Sequence, residues 1–224
     1  MQSSSLSEEF YVSLIIIRIK ITKFMDISNN KKNIITLVLI SLYIVLIAVS
    51  KLFPHPDNFT PILGLAIFGG AMFIRKRIFL YITVFALFVS DFIFNNYVHP
   101  EYFTNKSGII IFSDYMIWVY VSILLVIVAA SYILKKFNYP KLFFTAIGGA
   151  IVFFLITNFG SWLSSPELYT RDFTGLINSY VAGIPFFRST LISNILFSFI
   201  VFGIYDIAVR YIFKEKGIFS FMNK

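Results

Sequence analysis

The chain has no cysteine, which excludes disulfides, thiolate metal sites and cysteine nucleophiles and leaves the redox compartment open. Charge is nearly as scarce: 13% of residues are charged, against about 25% in an ordinary soluble domain. Histidine occurs twice, as His55 and His99. Neither has a His-x-x-x-His or Glu-x-x-His partner, so no metal site is expected. No glycine-rich loop runs into Lys and Ser or Thr, which removes a P-loop and a built-in ATPase. His55 and Asp57 offer an imidazole and a carboxylate for acid–base work, but no nucleophile at a recognisable elbow accompanies them. An intramembrane enzyme therefore ranks behind the other readings, and no cofactor is called for.

What the chain does have is hydrocarbon. Of its 224 residues, 58% are hydrophobic, with 28 Phe and 13 Tyr. Apolar runs of about 20 residues match a hydrocarbon core roughly 30 Å thick, crossed at about 1.5 Å per residue. The expected class is an all-α integral membrane protein in contact with lipid, with no sizeable soluble domain. A net charge of +8 would suit nucleic acid. The placement of the basic residues explains it better by topology, so no nucleic acid is expected.

Three parts are expected: an N-terminal extension at 1–33, a single membrane domain at 34–213 and a basic tail at 214–224. In the extension, "FYVSLIIIRIKI" is too short to span and is interrupted by Arg18 and Lys20. It lacks a signal-peptide cleavage pattern. Met25, followed by "DISNNKKN" and a clean apolar span, is a second candidate start, which would leave 1–24 untranslated. Six spans are read at about 34–53, 61–74, 78–94, 115–134, 141–163 and 189–213. The apolar piece "GLINSYVAGIPFF" at 175–187 is shorter and ends near a proline. It reads as a re-entrant or interfacial element, because non-helical backbone at membrane depth must be covered by protein or water.

Basic residues set the expected orientation. Lys31, Lys32, Arg75, Lys76, Arg77, Lys135, Lys136, Lys141, Arg210, Lys214, Lys216 and Lys224 fall on one side of the six-span alternation. Lys51, Lys106, Arg171 and Arg188 fall on the other. The positive-inside rule then makes both termini cytoplasmic and turns the 51–60, 95–114 and 164–188 loops outward.

Polar residues gather toward that outer half. The first outer loop, "KLFPHPDNFTPI", concentrates His55, Asp57, Asn58 and Thr60 between Pro54, Pro56 and Pro61. Prolines fix φ and restrict their predecessors, so the segment is stiff and reads as a lid. Asp91, Asn158, Trp162, Tyr180, Arg188 and Asn194 approach from other spans. Amide and ionisable groups at membrane depth usually face a bundle interior or wet cavity. Together these ten residues are the candidate ligand site, and each has a plainer reading. Asp91 can mark a span end, Asn158 and Asn194 can join helices, Trp162 can belong to an interfacial belt and Arg188 can reach headgroups. Ser189 and Thr190 read as a cap of the last span, and Asp206 with Arg210 as an i, i+4 ion pair. The glycines of "GLAIFGGA" and the small residues of "AIGGA" suit close helix packing or a partner-docking face.

Three stretches, "PHPDNFTPILGLAIFGGAMF", "SDFIF" and "TNFGSWL…FTGLINSYVAGIPFFRSTLISNILFS", resemble an uncharacterised family of bacterial inner-membrane proteins, domain of unknown function 6580. More distantly, the layout is similar to the substrate-binding S components of energy-coupling-factor vitamin transporters. That resemblance implies a multi-pass protein of the bacterial cytoplasmic membrane that captures a vitamin-like or other micronutrient small molecule from outside. It also implies a transmembrane partner subunit and ATPases for release. One departure is visible: S components carry an Ala-x-x-x-Ala patch on the first span, where this chain has only Ala48. The expected function is small-molecule binding and uptake; the alternative is a structural or assembly subunit of a membrane complex.

Overall fold

The computed structural model describes residues 56–73, 78–98 and 108–213, together with Pro100 and most of 41–49. The extension at 1–33, His55, His99, the Arg75–Arg77 loop and the tail at 214–224 lie outside the described residues, as does most of the first expected span. The described residues of that span are helical, with Tyr43 and Ile47 buried and Leu42, Val45 and Leu46 exposed.

Among the described residues the secondary structure is helical, with no strand. α1 is Ile62–Phe73, α2 Ile78–Ile93, α3 Asp114–Ile133, α4 Tyr139–Ser164 and α5 Phe173–Phe213. A π-helical turn, Phe94–Val98, prolongs α2. Four helical stretches are long and apolar enough to cross a membrane: Phe79–Val98, Asp114–Ile133, Tyr139–Ser164 and Phe173–Tyr211. The 12 residues of α1 rise about 18 Å, well short of a hydrocarbon core of about 30 Å.

Local chemistry sets the helix starts. Asn138 is extended at φ −152°, and its Oδ1 accepts the Lys141 N–H at 2.7 Å, with Pro140 in the first turn of α4. That combination fills a free donor and pre-sets φ. Asp172 does the same for α5, where its Oδ1 accepts the Gly175 N–H at 2.7 Å and the Thr170 hydroxyl at 2.8 Å. Ahead of α3, the Ser113 N–H donates to Met116 Sδ at 3.1 Å. Asn96 ties the π-turn to the approach to α3: its Nδ2 donates to the Ile110 carbonyl and its Oδ1 accepts the Ile110 N–H, both at 2.8 Å.

The expected break between a re-entrant 175–187 and a sixth span from 189 does not occur. Both pieces belong to α5, one 41-residue helix with Pro185 inside it. Ser189 and Thr190 consequently cap nothing, and the Thr190 hydroxyl donates back to the Phe186 carbonyl at 2.9 Å.

α1 is the core helix. Ile62 through Gly70 are all buried, against α3, α4 and α5. Two glycines permit this: a Cβ at Gly70 would strike the Ile127 carbonyl of α3, and one at Gly64 would come within 2.8 Å of the Ser198 nitrogen of α5. Small residues at such points let backbones meet. Phe68 then sets its edge on Phe202 at 5.3 Å, and Phe202 stacks on Phe137 at 5.1 Å.

These contacts fix directions. Gly64 meets Ser198 and Phe68 meets Phe202, so α1 and α5 are parallel. Trp118 meets Gly160 and Val126 meets Gly149, so α3 and α4 are antiparallel. Asn194 reaches Ala146, while Asn158 lies on Gly183, so α4 and α5 are antiparallel as well. α1, α3 and α5 therefore run one way, and α4 the other. α2 also opposes α3, because Asn95 meets Ser113 while Asp91 meets Tyr120. Lys135, Lys136 and Lys141, with Arg210 of α5, gather toward one end. Asp114 and Asp172 begin helices at the other. The Arg210 Nε–Asp206 Oδ2 pair closes at 2.9 Å, as the i, i+4 spacing suggests.

Candidate functional site

The outer loop enters the described structure at Pro56. Residues 56–59 form a tight turn in which the Phe59 N–H donates to the Pro56 carbonyl at 2.9 Å. Its third residue, Asn58, sits at φ +58°. A turn with positive φ at that position needs Gly or Asn, so Asn58 has a conformational role before any chemical one. The turn is set down between helices: Phe59 packs edge-on against Phe197 at 5.7 Å, and the Ser193 hydroxyl lies 3.4 Å from the Asn58 carbonyl. Pro61 then begins the chain's descent into α1, its carbonyl accepting the Leu65 N–H at 2.8 Å.

Beside this turn, α4 and α5 border a half-open cavity of about 150 Å³. Asn58, Thr157, Asn158 and Thr190 supply its polar lining. Phe153, Phe154, Phe186 and Phe187 supply the rest, with Gly183. Gly183 is there for room, since a side chain would collide with the Asn158 amide. Pro185 lies two residues on, and having no N–H it leaves the Val181 carbonyl without its usual i+4 donor. The hydroxyls of Thr157 and Thr190 each bond the carbonyl four residues back, at 2.8 and 2.9 Å. The Asn158 Nδ2 does likewise to Phe154 at 2.8 Å.

A family model for a family of unknown function, DUF6580, matches residues 29–215. The chain belongs to that family. No curated protein and no solved structure matches it. In this DUF6580 chain the matched stretch contains every helix described above, including both walls of the cavity.

Of the ten candidate residues, the structure brings Asn58 and Asn158 together at the cavity. Asp57 is exposed beside Asn58, and Thr60 is half-buried at the entrance to α1. Asp91 is completely buried on α2, where the Tyr120 hydroxyl donates to its Oδ2 at 2.7 Å. The Tyr115 hydroxyl lies 3.4 Å from the Asp91 Oδ1 and donates to the Asn95 Oδ1 at 2.9 Å. These groups form a second polar cluster, between α2 and α3. Asn194 is also fully buried, and its Nδ2 donates to the Ala146 carbonyl at 2.7 Å, joining α5 to α4. Tyr180 joins the same two helices through its hydroxyl and the Leu155 carbonyl at 3.0 Å. Trp162 straps the 165–172 connection, its Nε1 donating to the Thr170 carbonyl at 2.9 Å. Arg188 is exposed on α5, and His55 lies outside the described residues.

Sequence reasoning did not single out Thr157, Gly183 or the four phenylalanines, and it took Thr190 for a cap. One signal was present. Gly183 and Pro185 interrupt an otherwise unbroken apolar helix at the level where Asn158 faces it, and such interruptions mark places where backbone polarity opens to a cavity.

Proposed function

We propose that this DUF6580 protein is a multi-pass membrane protein that binds a small molecule in the cavity beside the Pro56–Phe59 turn, entered from the side its basic residues avoid. One observation carries the reading: three separate stretches of chain, the turn, α4 and α5, meet around the cavity of about 150 Å³ and each gives it a polar side chain. The positive-inside rule, applied to Lys135, Lys136, Lys141 and Arg210 at one end, supports an outward-facing entrance. The size argues for a modest ligand. A cavity of about 150 Å³ accommodates a benzene-sized molecule, whereas drug-sized ligands occupy about 300–1,000 Å³. A vitamin-sized substrate would require the turn to lift. Uptake further requires an energising partner, for which the resemblance to S components is the argument.

The direct test is native mass spectrometry of the protein purified from several growth media. A reproducible small adduct, lost when Asn158→Leu fills the cavity, is the expected result. No adduct from any medium, with melting temperature unchanged by small-molecule extracts, would sink the binding reading.

A second reading, a structural subunit of a membrane complex, has its own support. Asp91, Tyr180 and Asn194 all bond within the protein, as helix-joining groups do. Co-purification of a stoichiometric protein partner without a small molecule would favour it.

A further inference from the structure

We infer that the cavity selects ligands that donate hydrogen bonds, a small amine or hydroxyl compound, and discriminates against carboxylates and phosphates. The inference rests on the binding reading above and deepens it. Among the described residues no charged side chain lines the cavity, so the α4 and α5 walls offer an anion no compensating charge. Arg188, the sequence-level candidate for holding an anionic group, is exposed and is not part of the lining.

The polar groups that do line it are biased in one direction. Thr157 and Thr190 each give their single hydroxyl proton to a helix carbonyl, Phe153 O and Phe186 O. A hydroxyl has one donor and two acceptor lone pairs, so both oxygens can only accept from a ligand. Asn158 gives one amide N–H to Phe154 O, and keeps an acceptor oxygen with one further N–H. Acceptors outnumber donors along the α4 and α5 walls, and the turn's Asn58 adds one acceptor oxygen with two N–H groups. The aromatic walls point the same way, because phenyl faces are electron-rich and attract N–H, O–H and cationic groups. Phe154 and Phe187, 4.9 Å apart and tilted by 48°, form one such wall.

The test uses four probes of nearly one shape: toluene, benzyl alcohol, benzylamine and benzoate. Binding to the full chain in lipid nanodiscs is measured by equilibrium dialysis, with matched empty nanodiscs subtracted. Benzyl alcohol or benzylamine should bind at least tenfold more tightly than benzoate, the alcohol and amine arms separating neutral from cationic donors. Thr157→Val and Thr190→Val keep the shape while removing the acceptors. Each should weaken the donor probes about fivefold to tenfold, the scale of one hydrogen bond, with toluene unaffected. Melting temperature checks that both variants fold. Benzoate binding as tightly as benzylamine would overturn the inference. Toluene matching the donor probes, with no effect of either variant, would overturn it while leaving the small-molecule reading intact. If no probe binds, toluene included, the cavity is not a site for molecules of this size and both readings fall.

Discussion

Asn194 and Asn158 are the same side chain on two packed helices, one fully buried and one half-buried, and their hydrogen bonds separate them. The Asn194 amide crosses from α5 to the Ala146 carbonyl of α4, so its loss removes an interhelical bond. Asn158 bonds within its own helix and lines the cavity. Asn194→Ala should therefore lower stability by about 0.6 kcal/mol, the average for interhelical hydrogen bonds in membranes, and by no more than about 1.7 kcal/mol. Unfolding in mixed micelles by added denaturing detergent reads this directly, and Asn158→Ala should shift that curve less. The glycines divide in the same manner. Gly70→Ala drives a methyl into the Ile127 carbonyl and should cost about 1–3 kcal/mol, as overpacking does. Gly148 has nothing near its missing Cβ, so Gly148→Ala should be neutral or slightly stabilising in the same assay. Sequence made the buried amides legible, because polar groups at depth stand out. It left open which amide joins helices and which lines a space, since that depends on the facing residue. Thr157 stayed hidden because a threonine bonded to its own helix looks like any β-branched filler, and Thr190 was read as a cap for want of any sign that the helix runs through it.

At the scale of the element, α5 shows what pattern reading misses. A proline inside a soluble helix costs about 3 kcal/mol, which makes Pro185 look like an end. In a membrane, neighbouring groups can satisfy the freed backbone. Here α4 runs antiparallel alongside, joined to α5 through Tyr180 and Asn194 on either side of the proline. Replacing the proline restores an N–H to the Val181 carbonyl. Pro185→Ala should accordingly slow amide hydrogen exchange around 181–187 and leave exchange in α3 unchanged. The start of α5 carries a pH dependence. The Gly175 N–H, and secondly the Thr170 hydroxyl, hold the Asp172 carboxyl below its ordinary 3.8. A depressed folded pKa gives stability that is present above the unfolded pKa and lost as pH falls through the folded one. Hydrogen-exchange protection in the first turn of α5, taken against the intrinsic rate at each pH, should thus be flat from neutral pH to about 5 and fall below about 4. Asp172→Ala should show the faster exchange throughout, with no step. The short α1 was legible as an apolar element. Its role as the buried axis was not, because only the facing surfaces of α3, α4 and α5 reveal why its glycines are needed.

For the whole molecule, direction is the property on which the proposed function depends. The parallel run of α1, α3 and α5 against α2 and α4 follows from their contacts alone. It also puts the lysines after α3 at one end and the 165–172 connection at the other. The charge asymmetry behind the expected orientation was legible because it needs only loop order, whereas a cavity needs distances between segments far apart in sequence, such as Asn58 and Thr190. Because the chain lacks cysteine, single cysteines can report sidedness without background. Leu168→Cys, on the exposed 165–172 connection, should react in intact cells with a membrane-impermeant maleimide. Lys136→Cys, on the exposed α3–α4 connection, should react only after the membrane is opened. The reverse pattern would turn the Pro56–Phe59 turn and its cavity toward the cytoplasm. A ligand would then enter from inside, and the protein would be a candidate for sensing or export of its small molecule instead of capture.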